Sequence, residues 1–172
     1  MQKAWFLDRD GTIIEDKHYL KDPKDIVILD GVVQALQEAQ KAGYLLIIIT
    51  NQSGIARGFL SPQDADRVDE ELSELLAQYG ITITRSYRCP HLQDGNPPYN
   101  IACRCRKPNT GMFEQAITDY GLDPSLCIAC GDKLRDVERL PDIGVLKENT
   151  GVIDGVEFHS ILDFYKKVTA AE

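Results

Sequence analysis

Six consecutive apolar residues, Tyr44-Leu45-Leu46-Ile47-Ile48-Ile49, constrain this chain more than any other stretch. A strand with one wet face would alternate apolar and polar residues. This one has no polar face, so it belongs in a sheet covered on both sides, the setting of parallel strands joined by helices. The neighbouring segments agree. Asp30-Gly31 leads into a helical pattern with Val32, Leu36 and Ala39 on one face and Gln34, Gln37, Glu38 and Lys41 on the other, and Gly43 is placed to end it. Ser61-Pro62-Gln63-Asp64 combines an N-cap serine, a proline at the first helical position and an acid three residues on. Val68, Leu72, Leu75, Leu76 and Tyr79 carry that helix to Gly80. Further strands are predicted at 4–7, 81–87, 126–130 and 143–146, a helix at 111–120, a short helix ending near Pro141, and a short strand plus closing helix within 156–168.

Strands alternating with helices predict an α/β fold: one Rossmann-like parallel sheet flanked by helices with right-handed crossovers. At 172 residues the chain is expected to form a single domain, 1–172, with its own core and no large cap insertion. The longest apolar run is far shorter than the roughly 20 residues a bilayer requires, and Asp8, Arg9 and Asp10 interrupt any apolar leader. A cytoplasmic, monomeric protein is the expectation. A net charge of −8 without a basic run argues against nucleic-acid or anionic-membrane partners, while leaving room for a small anionic substrate held by a local cluster of cations.

In parallel sheets, ligands collect beyond the carboxyl ends of the strands. The first predicted strand runs into Asp8-Arg9-Asp10-Gly11-Thr12, the second into Thr50-Asn51-Gln52-Ser53-Gly54, and the fourth into Gly131-Asp132. Asp8, Asp10 and Asp132 at one edge would gather about three negative charges, an arrangement relieved by a hard, oxygen-ligated cation such as Mg²⁺. Arg106, Lys107 and the Thr50 hydroxyl offer positive charge and a donor to a phosphoryl group. A carboxylate held beside the metal can attack phosphorus, and a second one two residues on can exchange the proton.

Five cysteines in a chain with no leader favour metal ligation or buried thiols over disulfides. Cys89-Pro90-His91 and Cys103-Arg104-Cys105 place four soft ligands across a Pro/Gly/Asn-rich loop, a set for a closed zinc site or for free thiols on a mobile loop. Cys127 and Cys130 lie inside an apolar strand and read as inert. His159 reads as a surface residue.

Asp8-x-Asp10-Gly11-Thr12, Thr50-Asn51-Gln52, Lys107 and Gly131-Asp132-Lys133-x-x-Asp136, in that order, resemble the four motifs of the haloacid dehalogenase-like phosphatases. The wording at residues 6–13 and 50–58 is most similar to the D-glycero-D-manno-heptose-1,7-bisphosphate phosphatases, with the histidinol-phosphatase domains as relatives. The resemblance implies Asp8 as nucleophile, Asp10 as general acid/base, and Thr50 and Lys107 holding the transferred phosphoryl group. It implies Mg²⁺ on Asp8, Asp132 and the main-chain carbonyl of Asp10, with Lys133 and Asp136 supporting the metal and Asp8 from behind. Substrate contacts would fall on Asp16, Lys17, His18, Tyr19, Asn51, Gln52, Ser53 and Arg106. It also implies a structural zinc on Cys89, His91, Cys103 and Cys105, clamping the 89–105 loop that presents Arg106 and Lys107. The implied reaction is Mg²⁺-dependent removal of the 7-phosphate from a heptose 1,7-bisphosphate for surface-glycan synthesis. Histidinol phosphate is the alternative substrate, and a DNA end a remoter one. A phosphorylated receiver module would need its aspartate after the second strand, where Thr50 stands. Relatives usually follow the last acidic motif with a helix rich in small residues. Here Glu138-Arg139-Leu140-Pro141 predicts a truncated helix and a short last strand.

Overall fold

The computed structural model describes residues 2–170. Five strands, β1 (Lys3–Leu7), β2 (Tyr44–Asn51), β3 (Arg85–Cys89), β4 (Ile128–Gly131) and β5 (Thr150–Val152), form one parallel sheet in the order β3-β2-β1-β4-β5. The period-2 geometry of the strands sorts the core into two layers. Trp5, Leu7, Leu46, Ile48, Ile128 and Cys130 face α1 (Val32–Lys41), α2 (Pro62–Ala77) and α4 (Ile161–Thr169). Ala4, Phe6, Ile47, Ile49, Cys127 and Ala129 face α3 (Gly111–Tyr120) and the turns around Leu140. The uninterrupted apolar run of β2 is thus buried on both sides, as its composition requires. In the central pair, Phe6 stands opposite Ile47 and Leu7 opposite Ile48.

The helix ends follow their sequence signals. Ser61 Oγ accepts from Asp64 N at 3.0 Å while the Asp64 carboxylate accepts from Ser61 N at 2.9 Å, a reciprocal capping box. Gly121 ends α3 in the left-handed conformation at φ 58°.

Five predicted elements differ. The third strand begins at Arg85 rather than at 81. Ile81 N bonds to Leu76 O (3.1 Å) and Thr82 N to Gln40 Oε1 (2.7 Å), so these residues close off helix ends instead of pairing with β2. The fourth strand begins at Ile128, because Pro124–Leu126 forms a 3₁₀ turn whose Ser125 N is capped by Asp123. The helix expected before Pro141 is two 3₁₀ turns, Leu134–Asp136 and Leu140–Ile143. The fifth strand is not at 143–146, where Gly144 turns at φ 92°, but at Thr150–Val152. Gly151 fixes that position. The rings of Phe158 and Phe164 occupy the space that a Cβ there would need. The short strand expected in the tail is reduced to a single bridge, Ile153 with Phe158, before α4.

The strand order reverses at β1: the chain proceeds outward through β2 and β3, then crosses back to β4 and β5. The crevice between the carboxyl ends of β1 and β4 is the topological switch point where open α/β sheets bind ligands.

Candidate active site and metal centres

Asp8 follows the last residue of β1, and its N–H bonds to Cys130 O of β4 at 3.1 Å, so the switch point itself holds the carboxylate. The chain then turns tightly. The N–H groups of Thr12, Ile13 and Ile14 all point at Arg9 O (2.9–3.2 Å). Gly11, at φ 83°, leaves its side-chain space to the Asp132 carboxylate that follows β4. Gly131 does the same for Asp136, which would collide with any Cβ there. Two glycines therefore let three carboxylates, Asp8, Asp132 and Asp136, converge with oxygens all within 4.8 Å of one another.

Lys107 answers that charge. It is only 2% exposed, and its Nζ reaches Asp8 Oδ1 at 2.9 Å, Asp136 Oδ1 at 2.8 Å and Ile49 O at 2.7 Å. Burial works against the ammonium, and Asp8 and Asp136 more than offset it, holding Lys107 above the ordinary lysine range. Asp136 Oδ2 also accepts from Lys133 N at 3.0 Å. Asp132 is left with Lys133 Nζ at 3.7 Å, a long contact from an exposed side chain. One lysine does not balance the cluster. Burial pushes Asp8 up to about 8 against the pull of Lys107, and Asp136 and Asp132 add to the rise. A hard dication on Asp8 and Asp132 would supply the missing charge, so these residues fit Mg²⁺.

Asp10 is held differently. Arg9, 1% exposed, approaches it through Nε (3.2 Å to Oδ2) and Nη2 (3.1 Å to Oδ2), and Gln52 Nε2 donates to Oδ2 at 3.0 Å. The same Gln52 nitrogen lies 2.7 Å from Thr50 Oγ1, linking the ends of β1 and β2. Asn51 was expected to touch substrate. Its side-chain amide is spent on the main chain of Lys107, accepting from Lys107 N at 2.9 Å and donating to Lys107 O at 3.2 Å.

A cavity of about 350 Å³ opens over these groups. Asp8, Asp10, Asp132 and Lys107 line it, together with Asp16, His18, Tyr19, Asn51, Gln52, Ser53, Arg57, Arg106 and Arg135. Thr50 sits behind the wall, buried. Lys17 turns away into a neighbouring cleft and pairs with Glu15 at 3.5 Å. The 13–28 loop is anchored rather than loose. His18 and Tyr19 take left-handed backbone angles (φ 52° and 69°), stabilised by His18 N donating to Asp16 Oδ1 at 2.9 Å. Tyr19 packs on Phe59 with ring centroids 4.9 Å apart, over Gly54, whose missing side chain makes room for it.

The second cluster lies at the end of β3. Cys89, His91, Cys103 and Cys105 present ligand atoms within 4.8 Å of one another, with Cys89 Sγ 2.8 Å from Cys105 Sγ and 3.5 Å from both Cys103 Sγ and His91 Nδ1. All three are free cysteines. Burial pushes the Cys89 thiol up, the thiolate being left without a nearby positive charge to favour it. The donor set suits a four-coordinate Zn²⁺ with no open position. Arg106 N points at Cys103 Sγ (3.4 Å), one residue before Lys107. No helix among the described residues is long and apolar enough to cross a membrane.

Residues 3–150 match the family described as Polynucleotide kinase 3 phosphatase. The chain is 43% identical to a D-glycero-beta-D-manno-heptose-1,7-bisphosphate 7-phosphatase of Haemophilus ducreyi, over 84% of this chain and 80% of the relative. It is 42% identical to the protein of that name from Haemophilus influenzae, over 80% and 75%. A solved D,D-heptose 1,7-bisphosphate phosphatase from B. bronchiseptica, complexed with magnesium and phosphate, superposes with a TM-score of 0.78 at 26% identity, covering 100% of both chains.

Proposed function

Since the chain belongs to the haloacid dehalogenase-like phosphatases, alongside the heptose-1,7-bisphosphate 7-phosphatases, we propose that it removes the 7-phosphate from D-glycero-D-manno-heptose 1,7-bisphosphate. It is a phosphoric monoester hydrolase. The observation that carries the mechanism is the pairing of two aspartates, two residues apart, in opposite settings. Asp8 sits half-buried at the switch point with one oxygen fixed by Lys107, and Asp10 stands beside it on the cavity wall.

In this reading the Asp8 carboxylate attacks phosphorus, and the bond from phosphorus to the C7 oxygen breaks. Asp10 gives its proton to the departing alkoxide. Asp10 then takes a proton from the water that attacks the aspartyl phosphate, releasing inorganic phosphate and restoring the Asp8 carboxylate. Lys107 keeps Asp8 aimed through this cycle and offers its charge to the transferred phosphoryl oxygens, while the Thr50 hydroxyl, set behind the cavity wall, accepts from Gln52. Mg²⁺, held by Asp8, Asp132 and the main-chain carbonyl of Asp10, would offset the carboxylate charge and that of the phosphoryl oxygens when bound. Lys133 and Asp136 brace this arrangement. Arg106, with Arg57 and Arg135 on the rim, gives the second phosphate of a bisphosphate a cationic surround that histidinol phosphate would not use. A zinc on the Cys₃His cluster would hold the loop that carries Arg106 and Lys107. The protein acts as a cytoplasmic monomer without nucleic-acid partners.

The test is phosphate release from heptose 1,7-bisphosphate and histidinol phosphate side by side with Mg²⁺, with ³¹P NMR to locate the remaining phosphate. We expect a kcat/KM at least tenfold higher for the bisphosphate, and a product bearing phosphate at C1. Equal or better turnover of histidinol phosphate would overturn the substrate assignment.

A further inference from the structure

The buried arginine between the two aspartates has no place in the mechanism above, yet it is among the largest fully buried side chains in the molecule. Its guanidinium is bonded at both ends. Nε and Nη2 lie against the Asp10 carboxylate, and Nη1 donates to Asp69 Oδ1 at 3.2 Å. Asp69 belongs to α2, and its other oxygen accepts from Arg88 Nη1 of β3 at 3.3 Å. Arg88 in turn meets Asp66 at 2.8 Å and Pro62 O at 3.3 Å. An alternating row of charges, Asp10–Arg9–Asp69–Arg88–Asp66, therefore runs from the cavity wall through α2 to the end of β3.

A buried guanidinium that merely filled space would need one counter-ion. This one has two, and they differ: one faces the reacting centre and the other is fixed to a helix and an edge strand. Burying the guanidinium at the head of this row is costly and seldom adds net stability over apolar packing of the same volume. Holding one carboxylate in one rotamer is something it does well, because the planar fork bonds an acceptor at a fixed angle.

We propose that Arg9 is a positioning residue for Asp10, and that Asp69 is the fixed post against which Arg9 is braced. Arg9 holds the Asp10 carboxylate where it can reach the leaving oxygen and, later, the attacking water. Gln52 completes the hold from the β2 side at 3.0 Å. This rests on the acid/base role of Asp10 proposed above.

The experiment compares Arg9→Met, Arg9→Lys, Asp69→Asn and Asp10→Asn with the unmodified protein, reading kcat and KM for the heptose bisphosphate with Mg²⁺ and a thermal melt for each. For Arg9→Met we expect kcat to fall at least tenfold with KM within twofold. Arg9→Lys should recover part of that loss. Asp69→Asn, which leaves Arg9 in place but loosens its post, should lower kcat about fivefold with the same unchanged KM. Should Arg9→Met fail to fold, Asp69→Asn and Arg9→Lys decide. A kcat within twofold of the unmodified protein in the folded variants, or a change in melting temperature alone, would overturn the proposal. If Asp10→Asn is inactive and the Arg9 and Asp69 variants are not impaired, the positioning role fails while the mechanism stands. If Asp10→Asn retains full activity, the mechanism itself fails.

Discussion

Two clusters of metal-ligating side chains lie on either side of Lys107, and they are built in opposite ways. The carboxylate cluster draws on residues 8, 132 and 136, brought together only because β1 and β4 are neighbours in the sheet. The thiol cluster is drawn from residues 89–105 of a single stretch of chain that leaves the sheet at Cys89, the end of β3. The first is assembled by the fold, and a bound cation would neutralise it. The second has little regular structure around it, and a bound cation would hold it together as a rigid body. Lys107 connects them: its side chain reaches into the first, and its backbone leaves the second. The lesson is that precision at the reacting centre depends on both kinds of construction, with Asn51 clamping the main chain where they meet.

The comparison can be broken at several points. The largest expected effect is on chemistry at the sheet edge. Asp8→Asn keeps the shape of the side chain and removes the attacking oxygen, so steady-state assays should show activity lower by roughly 10³-fold or more, with folding preserved in circular dichroism. Lys107→Met should act on stability as well. It strips the counter-ion from the buried Asp136 and the half-buried Asp8, a change expected to cost about 3–5 kcal/mol in denaturant titrations and to abolish turnover.

The loop should respond more mildly. Removing zinc with a chelator and then restoring Mg²⁺, or replacing Cys103 by Ser, should lower Tm by roughly 5 °C or more and weaken activity through displacement of Arg106 and Lys107. Metal analysis of the purified protein should find one zinc. A protein that holds no zinc, and whose Tm is indifferent to Cys103→Ser, would remove this half of the contrast. The smallest effect lies outside both clusters. Ser61→Ala at the cap of α2 should cost about 1 kcal/mol and leave the catalytic constants of the folded protein unchanged. The Ser61 N–H holds the Asp64 carboxyl below its usual range. A depressed folded-state pKa contributes stability above the unfolded value and loses it as pH falls through the folded one. The Asp64 contribution should therefore be complete above about pH 4 and fade in more acid solution, and comparing melts of the unmodified protein and Asp64→Asn across that range checks the sign.

What could be read from the sequence divides along the same line. Asp8, Asp10 and Asp132 were legible because each follows a strand by one to three residues, and strand alternation is a local pattern. The thiol cluster was legible because its four ligands lie within one short stretch. Arg9 was not, because between two acids it looks like a solvated charge. Its burial depends on Asp69, sixty residues on, and no periodicity reports that. Arg135 on the cavity rim was hidden in the same way, its neighbours read only as a truncated helix. Asn51 does line the cavity, but the hold of its side-chain amide on the Lys107 main chain could not be read in advance, because the two residues are 56 positions apart. The misplaced fifth strand has another cause. Residues 143–146 are apolar enough for a strand and Val145 is buried, but Gly144 turns the chain, and it is the bare backbone at Gly151 that admits two aromatic rings and pairs with Cys130.

The claim underlying all of this is that Asp8, at the switch point of the sheet, carries the phosphoryl group between substrate and water. Mixing the Mg²⁺-loaded protein with heptose 1,7-bisphosphate, quenching in acid within the first turnover, reducing with borohydride and mapping the peptides by mass spectrometry tests it directly. An acyl phosphate on Asp8 would appear as homoserine at position 8, and would be missing from Asp8→Asn. Turnover that leaves Asp8 unmodified, or homoserine at any other position, would contradict it.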